Sequence, residues 1–276
     1  MRKAAVIGWP ISHSRSPLIH GYWLKQHGIE GSYERRPVKP EELPAFIAGL
    51  RRGDLAGCNV TVPHKEAVLK LVDDADATAR AIGAANTLWM DGGRLRATNT
   101  DAYGFLANLE AAYPDWCDPP GIPLVVGAGG AARAVIHALR GAGCKTILLT
   151  NRTRARADEL VDYFGDDVQA LDWERRRDGV ADCSLLINTT TQGMAGQAAL
   201  EVPVDALNPL SIVYDLVYVP LKTPLMTAAE ARGLRTLGGL GMLLHQAGVG
   251  FEHWFGAKPQ VTDELYRLVA ADIEAH

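Results

Sequence analysis

Three short segments in the first third of the chain place polar side chains directly after apolar, strand-like runs. Ser14 and Ser16 follow the first run, and Lys65 follows another. Asn86 and Asp101 lie within or just after a predicted hairpin. Open α/β sheets bind their ligands where strands end and helices begin. A single lysine is usually a solvated surface charge, so only these polar neighbours make Lys65 a candidate, and the pattern predicts a ligand site.

A glycine-rich turn in the middle of the chain predicts a dinucleotide site. Gly127, Gly129 and Ala132 form a G-x-G-x-x-A pattern that follows a predicted strand and begins a helix. In that context the first glycine makes the tight turn, and the second lets the backbone approach a pyrophosphate. The small third residue allows close helix–strand packing. The free N–H groups at the start of the helix then point at the anion.

The residues after the second strand of this unit indicate which dinucleotide binds. NAD-binding units carry an Asp or Glu there, about 20 residues beyond the glycines, for the ribose 2′-hydroxyl. This chain instead has Asn151, Arg152, Thr153 and Arg154, with Arg156 shortly after them. Guanidinium groups suit a 2′-phosphate by charge and by bidentate geometry, and cations at a helix start are unfavourable without an anion. We therefore expect NADP(H).

Short apolar runs that alternate with helix-like segments predict an α/β protein. In the first third we expect strands at 3–8, 32–38 and 56–62, a hairpin at 84–98, and helices at 16–27, at 41–52 and from Pro63 onward, the last carrying Lys65. In the middle we expect strands at 123–126, 146–150, 167–170, 184–188 and 211–216, with helices up to residue 142 and over 154–164. The βαβαβ order predicts a doubly wound, parallel sheet.

The domain organisation follows from length and from the last helices. A chain of 276 residues corresponds to about two domains. Two final helices, over 238–255 and 262–275, have no strands of their own nearby and must pack elsewhere. We expect an N-terminal α/β substrate-binding domain of residues 1–101 plus 238–276, and a Rossmann-like NADP domain of residues 102–237.

Composition and charge exclude several classes of protein. The 28 basic and 32 acidic residues give a net charge of −4, which argues against a nucleic-acid partner. No apolar run approaches the roughly 18 residues of a membrane helix, and no CxxC pair indicates a metal site or disulfide framework among the four cysteines. Scattered free thiols are typical of the cytoplasm. We expect a small-molecule ligand and no membrane partner, and a homodimer is compatible with the sequence.

Blocks spread over essentially the whole chain resemble those of the shikimate dehydrogenase family. The most specific are NVTVP-x-K at residues 59–65 and NTD at 99–101. The other blocks, in family order, lie at residues 10–17, 83–87, 127–132, 151–153, 188–194, 214–218 and 239–247.

The resemblance assigns roles on the substrate side. Lys65 matches the catalytic lysine of the family, and Asp101 matches its carboxylate partner. Oxidising a ring alcohol requires a group that takes or polarises the hydroxyl proton, and the sequence is compatible with Lys65 as a neutral base or as a charged donor. Ser14 and Ser16 resemble the residues that bind the substrate carboxylate, with help from Tyr214. The positions matching residues that bind the ring hydroxyls are Thr61, Asn86, Asp101 and Gln246.

The resemblance also implies a set of cofactor-binding residues and no metal. Met194 and Met242 match residues that flank the nicotinamide, although methionines at such positions are commonly core residues. The full set of expected cofactor-binding residues is Gly127, Ala128, Gly129, Gly130, Ala131, Asn151, Arg152, Thr153, Arg156, Thr189, Met194, Leu216, Gly239 and Met242.

The implied activity is the reversible, NADPH-dependent reduction of 3-dehydroshikimate to shikimate in aromatic amino acid biosynthesis. One alternative is a quinate/shikimate dehydrogenase that prefers NAD, against which Arg152 argues. Another is a non-catalytic NADP(H)-binding regulator, which need not keep Lys65 and Asp101 together with the two serines and Gln246. A related folate dehydrogenase finds no support in the serine block.

Overall fold

The strands of the chain form two six-stranded sheets, one in each of two compact units. The computed structural model describes residues 1–118 and 121–275. The first unit contains Met1–Gly104 and Leu244–Val269, and the second contains Phe105–Leu243 and Ala270–His276. The predicted α/β class with two sheets is confirmed. Among the described residues, no helix has the length and apolar character needed to cross a membrane.

The sheet of the first unit is mixed, with three parallel strand pairs and two antiparallel ones. Its strands are β1 (Arg2–Gly8), β2 (Gly31–Pro37), β3 (Gly57–Val60), β4 (Asp74–Ala75), β5 (Thr87–Asp91) and β6 (Arg94–Thr98). They lie in the order β2-β1-β3-β5-β6-β4. Strands β2, β1 and β3 are parallel, and β5 pairs antiparallel with both neighbours. The hairpin turns at Gly92 and Gly93, which both have positive φ, so the predicted Asp-Gly turn is confirmed.

The first four helices are α1 (Ser16–Gln26), α2 (Leu43–Arg51), α3 (Ala77–Ile82) and α4 (Asp101–Ala112). Helix α1 has proline in its first turn, as expected from the sequence, and Gly28 follows it with a φ of +62°. A cluster of buried aliphatic side chains, including Ile7, Leu50 and Leu88, forms the core on one face of the sheet.

The predicted helix from Pro63 is wrong. The chain makes turns through Glu66, and only a short 3₁₀ helix follows, at Ala67–Lys70. The physical reason is that backbone and side-chain groups of this stretch form hydrogen bonds with other segments of the chain and not within a helix. The backbone N–H of Ala85 donates to the carbonyl of Lys65 at 2.8 Å, and the buried ring of His64 bonds the carbonyl of Val38 at 2.7 Å. Lys65 therefore lies on a loop that is held in place by hydrogen bonds to two other segments, one containing Val38 and one containing Ala85.

The second unit is built on a wholly parallel, doubly wound sheet, as predicted. Its strands are β7 (Pro123–Val126), β8 (Ile147–Thr150), β9 (Val168–Leu171), β10 (Leu185–Asn188), β11 (Ile212–Asp215) and β12 (Arg235–Gly238). Their order is β12-β11-β10-β7-β8-β9. The helices are α5 (Gly130–Gly141), α6 (Arg154–Phe164), α7 (Arg176–Asp182) and α8 (Pro224–Glu230). The sequence did not predict β12, an edge strand whose residues are only half-buried.

The last helices are α9 (Leu240–Phe255) and α10 (Asp263–Glu274). Most of α9 belongs to the first unit, where the indole N–H of Trp254 donates to the carbonyl of Leu88 at 2.8 Å. The contact needs a residue without a side chain at position 57, because a Cβ there would lie 2.0 Å from Trp254 Nε1. The unit boundaries fall within α4, α9 and α10, whereas the sequence places two boundaries, at 101/102 and 237/238.

We predict that Gly57→Ala destabilises the first unit by about 3 kcal/mol, because the added methyl group overlaps both the Trp254 indole and the Leu88 carbonyl. Gly21→Ala is the matched control: it lies within α1 with no atom near its Cβ position, and it should stabilise by about 0.5–1 kcal/mol. Urea unfolding of both variants measures the difference. Equal stability of the two variants would contradict the assigned packing.

Candidate functional site

Lys65 and Asp101 form an ion pair beyond the ends of strands β3 and β6 of the first sheet. Nζ of Lys65 donates to Oδ2 of Asp101 at 2.5 Å, and the side chains are 22% and 11% exposed. Asp101 is the first residue of α4, where the helix dipole favours a carboxylate. Its backbone N–H donates to Oδ1 of Asn99 at 3.0 Å. The pair is thus held in place and still accessible to a small molecule.

The amide of Asn86 fixes the other oxygen of the carboxylate. Nδ2 of Asn86 donates to Oδ1 of Asp101 at 2.8 Å, while its Oδ1 accepts from the backbone N–H of Thr100 at 2.9 Å. Because the Thr100 N–H can only donate, it determines which way the Asn86 amide faces. Oε1 of Gln246 lies 3.4 Å from the same Nδ2 and accepts from the Thr100 hydroxyl at 3.2 Å. The structure therefore brings together four of the predicted site residues.

The serine pair lies at the start of α1. The Ser14 hydroxyl donates to Oγ of Ser16 at 3.2 Å and also accepts from the Ser16 backbone N–H at 3.3 Å. Nε of Arg35 donates to the Ser14 carbonyl at 2.8 Å and holds the loop. Two hydroxyl groups beside the first N–H groups of a helix are suited to bind an anion such as a carboxylate.

Thr61 follows the strand β3, and its backbone is held beside the strand β1. Its N–H donates to the carbonyl of Ile7 at 2.9 Å, and its side chain is half-buried. Gly8 leaves the necessary space, since a Cβ there would lie 2.6 Å from the Thr61 methyl group.

The prediction that Tyr214 contacts the substrate requires correction. Tyr214 belongs to the second unit and is fully buried within β11. Its ring stacks on Phe105, with centroids 5.0 Å apart, and its hydroxyl accepts from Nδ2 of Asn108 at 2.7 Å. Burial also raises the pKa of this phenol. Tyr214 is a core residue. Tyr218, three residues beyond the end of the strand, is the partly exposed tyrosine of this block.

The glycine-rich turn has the geometry expected for a pyrophosphate. Gly127 has a φ of +107°, and a Cβ there would lie 2.7 Å from the Thr189 hydroxyl. By contrast, Gly129 has no atom within 4 Å of its Cβ position and is exposed. Helix α5 begins at Gly130, and no side chain caps it, so its first N–H groups remain available to an anion. Ala128 and Ala131 beside them are half-buried.

The three arginines after β8 differ in their surroundings. Arg154 forms ion pairs with Asp158, at 2.7 Å, and with Asp172. Arg152 and Arg156 are exposed, and in the part of the chain that the structure describes their guanidinium groups have no hydrogen bond or ion pair. The Asn151 amide donates to the Thr153 carbonyl at 2.8 Å and shapes the loop. Arg152 and Arg156 are therefore the free cations, and Arg154 is not.

The remaining predicted cofactor residues lie along the second unit. The Thr189 hydroxyl donates to the carbonyl of Val126 at 2.8 Å. Gly239 touches the loop after β11, since a Cβ at this position would lie 2.0 Å from the carbonyl oxygen of Leu216. Met194 is 39% exposed and Met242 is half-buried.

Two polar residues of the substrate side were not among the predicted site residues. Thr100 orients both Asn86 and Gln246, and Asn59 bonds the backbone carbonyl of Asn86 at 3.2 Å. Both belong to the blocks NVTVP-x-K and NTD, so their place in these motifs is the signal that points to them.

Two family descriptions match the chain, one in each unit. Residues 6–88 match "Shikimate dehydrogenase substrate binding domain", and residues 123–195 match "Shikimate / quinate 5-dehydrogenase". A curated relative from Nitrobacter hamburgensis, named shikimate dehydrogenase (NADP(+)), is 54% identical over 272 residues, covering 99% of this chain and 95% of the relative.

Solved structures agree with this similarity. Shikimate 5-dehydrogenase from Thermus thermophilus, in complex with NADP(H) and shikimate, is 38% identical with a TM-score of 0.86, covering 99% of this chain and 100% of that one. Quinate dehydrogenase from Corynebacterium glutamicum, in complex with NAD, is 30% identical with a TM-score of 0.90, covering 98% and 99%. The chain therefore belongs to the shikimate dehydrogenase family.

Proposed function

We propose that this chain catalyses the NADPH-dependent, reversible reduction of 3-dehydroshikimate to shikimate, a step of aromatic amino acid biosynthesis. The observation that carries the proposal is the accessible Lys65–Asp101 pair, with its donor and acceptor atoms 2.5 Å apart. Asn86 and Gln246 hold polar atoms beside the pair. A pair of this kind can move a proton on a substrate that presents several hydroxyl groups.

The polar groups fit a small ring that bears a carboxylate and hydroxyl groups. Ser14 and Ser16 bind the carboxylate at the start of α1. The substrate oxygens on the ring are bound by Thr61, Asn86, Asp101 and Gln246. Sites built to pair each hydroxyl of a substrate reject analogues that lack one by large factors.

Lys65 handles the proton of the reaction. As the carbonyl carbon accepts a hydride, the carbonyl oxygen becomes an alkoxide and takes a proton from the Lys65 ammonium. In the reverse direction the neutral amine removes that proton from the alcohol. Asp101 orients the Nζ group through both directions, and its second oxygen is held by Asn86.

NADPH, when bound, supplies the hydride. The residues of the second unit fit this cofactor: Gly129 leaves open space at the start of α5 for a pyrophosphate, and Arg152 and Arg156 offer exposed guanidinium groups to a 2′-phosphate. The acidic residue that would bind the 2′-hydroxyl of NAD is absent at this place. An NAD-preferring quinate dehydrogenase is therefore the less favoured alternative.

We also propose a cytoplasmic location. The four cysteines are unpaired, and three of them are buried. Unpaired thiols of this kind are typical of reducing compartments.

The direct test measures oxidation of NADPH with 3-dehydroshikimate, run beside NADH and beside 3-dehydroquinate. We expect kcat/KM to be at least about ten-fold higher for NADPH than for NADH, because the 2′-phosphate gains charge-assisted hydrogen bonds. We expect 3-dehydroshikimate to be the preferred substrate. A preference for NADH, or comparable turnover of 3-dehydroquinate, would favour the quinate alternative. An absence of turnover with every pair of substrates would contradict the proposal and favour a non-catalytic NADP(H)-binding protein.

Lys65→Ala should lower kcat about 10²–10⁴-fold, since the reaction loses its proton donor. Binding of NADPH, followed by its fluorescence, should remain at the wild-type level. Lys70→Ala is the matched control, because Lys70 is exposed on the neighbouring 3₁₀ helix and should leave kcat unchanged. Near-normal turnover by Lys65→Ala would refute the catalytic role of the lysine.

Arg152→Ala should lower kcat/KM for NADPH about 10–100-fold, because a charged hydrogen-bond donor to the 2′-phosphate is lost. The value for NADH, which has no such phosphate, should stay the same. Arg154→Ala is the control, since its guanidinium is already paired with two aspartates. A similar loss with both cofactors, or a larger loss in Arg154→Ala, would show that Arg152 does not bind the 2′-phosphate.

A further inference from the structure

Tyr33 lies on β2, and its hydroxyl touches both halves of the substrate side. The side chain is buried, at 9% exposure. The hydroxyl donates to Oδ1 of Asn59 at 2.6 Å, and the side chain of Ser16 lies next to it. Ser16 belongs to the serine pair at the start of α1, whereas Asn59 lies on β3 and faces the hairpin.

From Asn59 the hydrogen bonds continue to the reacting pair. Nδ2 of Asn59 donates to the Thr87 hydroxyl at 3.2 Å, and that hydroxyl donates to Oδ1 of Asn86 at 3.0 Å. Nδ2 of Asn86 then donates to Asp101. Every group in this sequence donates in the same direction, from the tyrosine toward the carboxylate, so each bond helps to set the orientation of the next.

The ring of Tyr33 is itself fixed by stacking. It packs against the ring of His20, with centroids 3.9 Å apart and planes within 14°. His20 is fully buried, and burial lowers its pKa to about 3, so it packs as a neutral ring at physiological pH. Burial also holds the pKa of the Tyr33 phenol well above its usual value, so the hydroxyl keeps its proton and remains a donor.

We propose that Tyr33 is a positioning residue for the reaction, whose hydroxyl joins the carboxylate-binding serines to the Asn59–Thr87–Asn86 sequence that orients Asp101. The inference rests on the proposed function. A tyrosine hydroxyl has one proton and can accept further hydrogen bonds. With its proton given to Asn59, its oxygen can accept from Ser16, and one group thereby holds both the Ser16 hydroxyl and the Asn59 amide oxygen.

Loss of this hydroxyl would release two groups at once. Asn59 would lose the donor to its Oδ1 and keep only the bonds of its Nδ2 to the Asn86 carbonyl and to the Thr87 hydroxyl. A buried amide oxygen without a donor is costly, so the Asn59 side chain would shift and loosen the bond that holds the Thr87 hydroxyl against Asn86. Ser16 would lose its acceptor and adopt other rotamers, so the carboxylate of the substrate would meet a less ordered partner.

The test is Tyr33→Phe, which removes the hydroxyl and keeps the stacked ring. We expect kcat/KM for 3-dehydroshikimate to fall about ten-fold, mainly through a higher KM, while the KM for NADPH is unchanged. Tyr22→Phe is the matched control: it deletes a hydroxyl on α1 whose one bond among the described residues is to the exposed Glu264, at 3.0 Å. A lower Tm for Tyr33→Phe with unchanged kinetics would mean a structural role alone and would overturn the proposal.

A double-mutant cycle tests the connection to the serines. In a Ser16→Ala background, Tyr33→Phe should lower kcat/KM by a smaller factor than in the wild type, because part of its effect passes through Ser16. If the two factors simply multiply, Tyr33 does not act through Ser16, and the proposed link is wrong.

Thr87→Val and Thr87→Ser test the other branch independently of how Tyr33→Phe folds. Thr87→Val should lower kcat/KM, and Thr87→Ser, which keeps the hydroxyl, should restore it. Equal activity of both variants would overturn the proposed sequence of hydrogen bonds. An inactive wild-type protein would contradict the proposed function itself, whereas an active wild type with unaffected variants contradicts only the role of Tyr33.

Discussion

The ion pair between Lys65 and Asp101 is the interaction on which the geometry of the site in the first unit depends. Charges removed from water are costly unless their partners and hydrogen bonds are nearly complete. The unit meets this requirement from three separate segments: the loop after β3 supplies the lysine, the hairpin supplies Asn86, and the start of α4 supplies the carboxylate. The mixed sheet matters to function because it brings these segments to one edge.

The second unit, by contrast, leaves polar groups of its site without partners from the protein. Its glycine turn leaves the N–H groups at the start of α5 without a side-chain cap, and the loop after β8 leaves Arg152 exposed while Arg154 is paired within the protein. Incomplete pairing of this kind is stable only because it is solvated, and it creates affinity for an anionic ligand. The charged groups of the first site are thus paired within the protein, whereas the N–H groups of α5 and the Arg152 guanidinium gain their partners from a bound ligand.

Local patterns predicted most of the fold, and long-range contacts explain what they missed. Buried strands and glycine-ended helices follow from short sequence signals, and the parallel sheet followed from their order. The loop that carries Lys65 could not be predicted, because its carbonyl is used by Ala85, twenty residues later. Edge strand β12 lacks a strong apolar pattern. Tyr214 and Tyr218 belong to one motif, and only burial distinguishes the core residue from the accessible one.

Helix α9 carries Gln246 in the site and Trp254 two turns later, which is about 12 Å along a helix axis. The Trp254 indole packs against Gly57 and donates to the carbonyl of Leu88. Because Trp254 and Gln246 both lie on α9, this contact helps to set the position of Gln246 along the helix axis. Positions 57 and 254 should therefore change together during evolution. A larger residue at position 57 would displace the tryptophan and, with it, the part of α9 that carries Gln246.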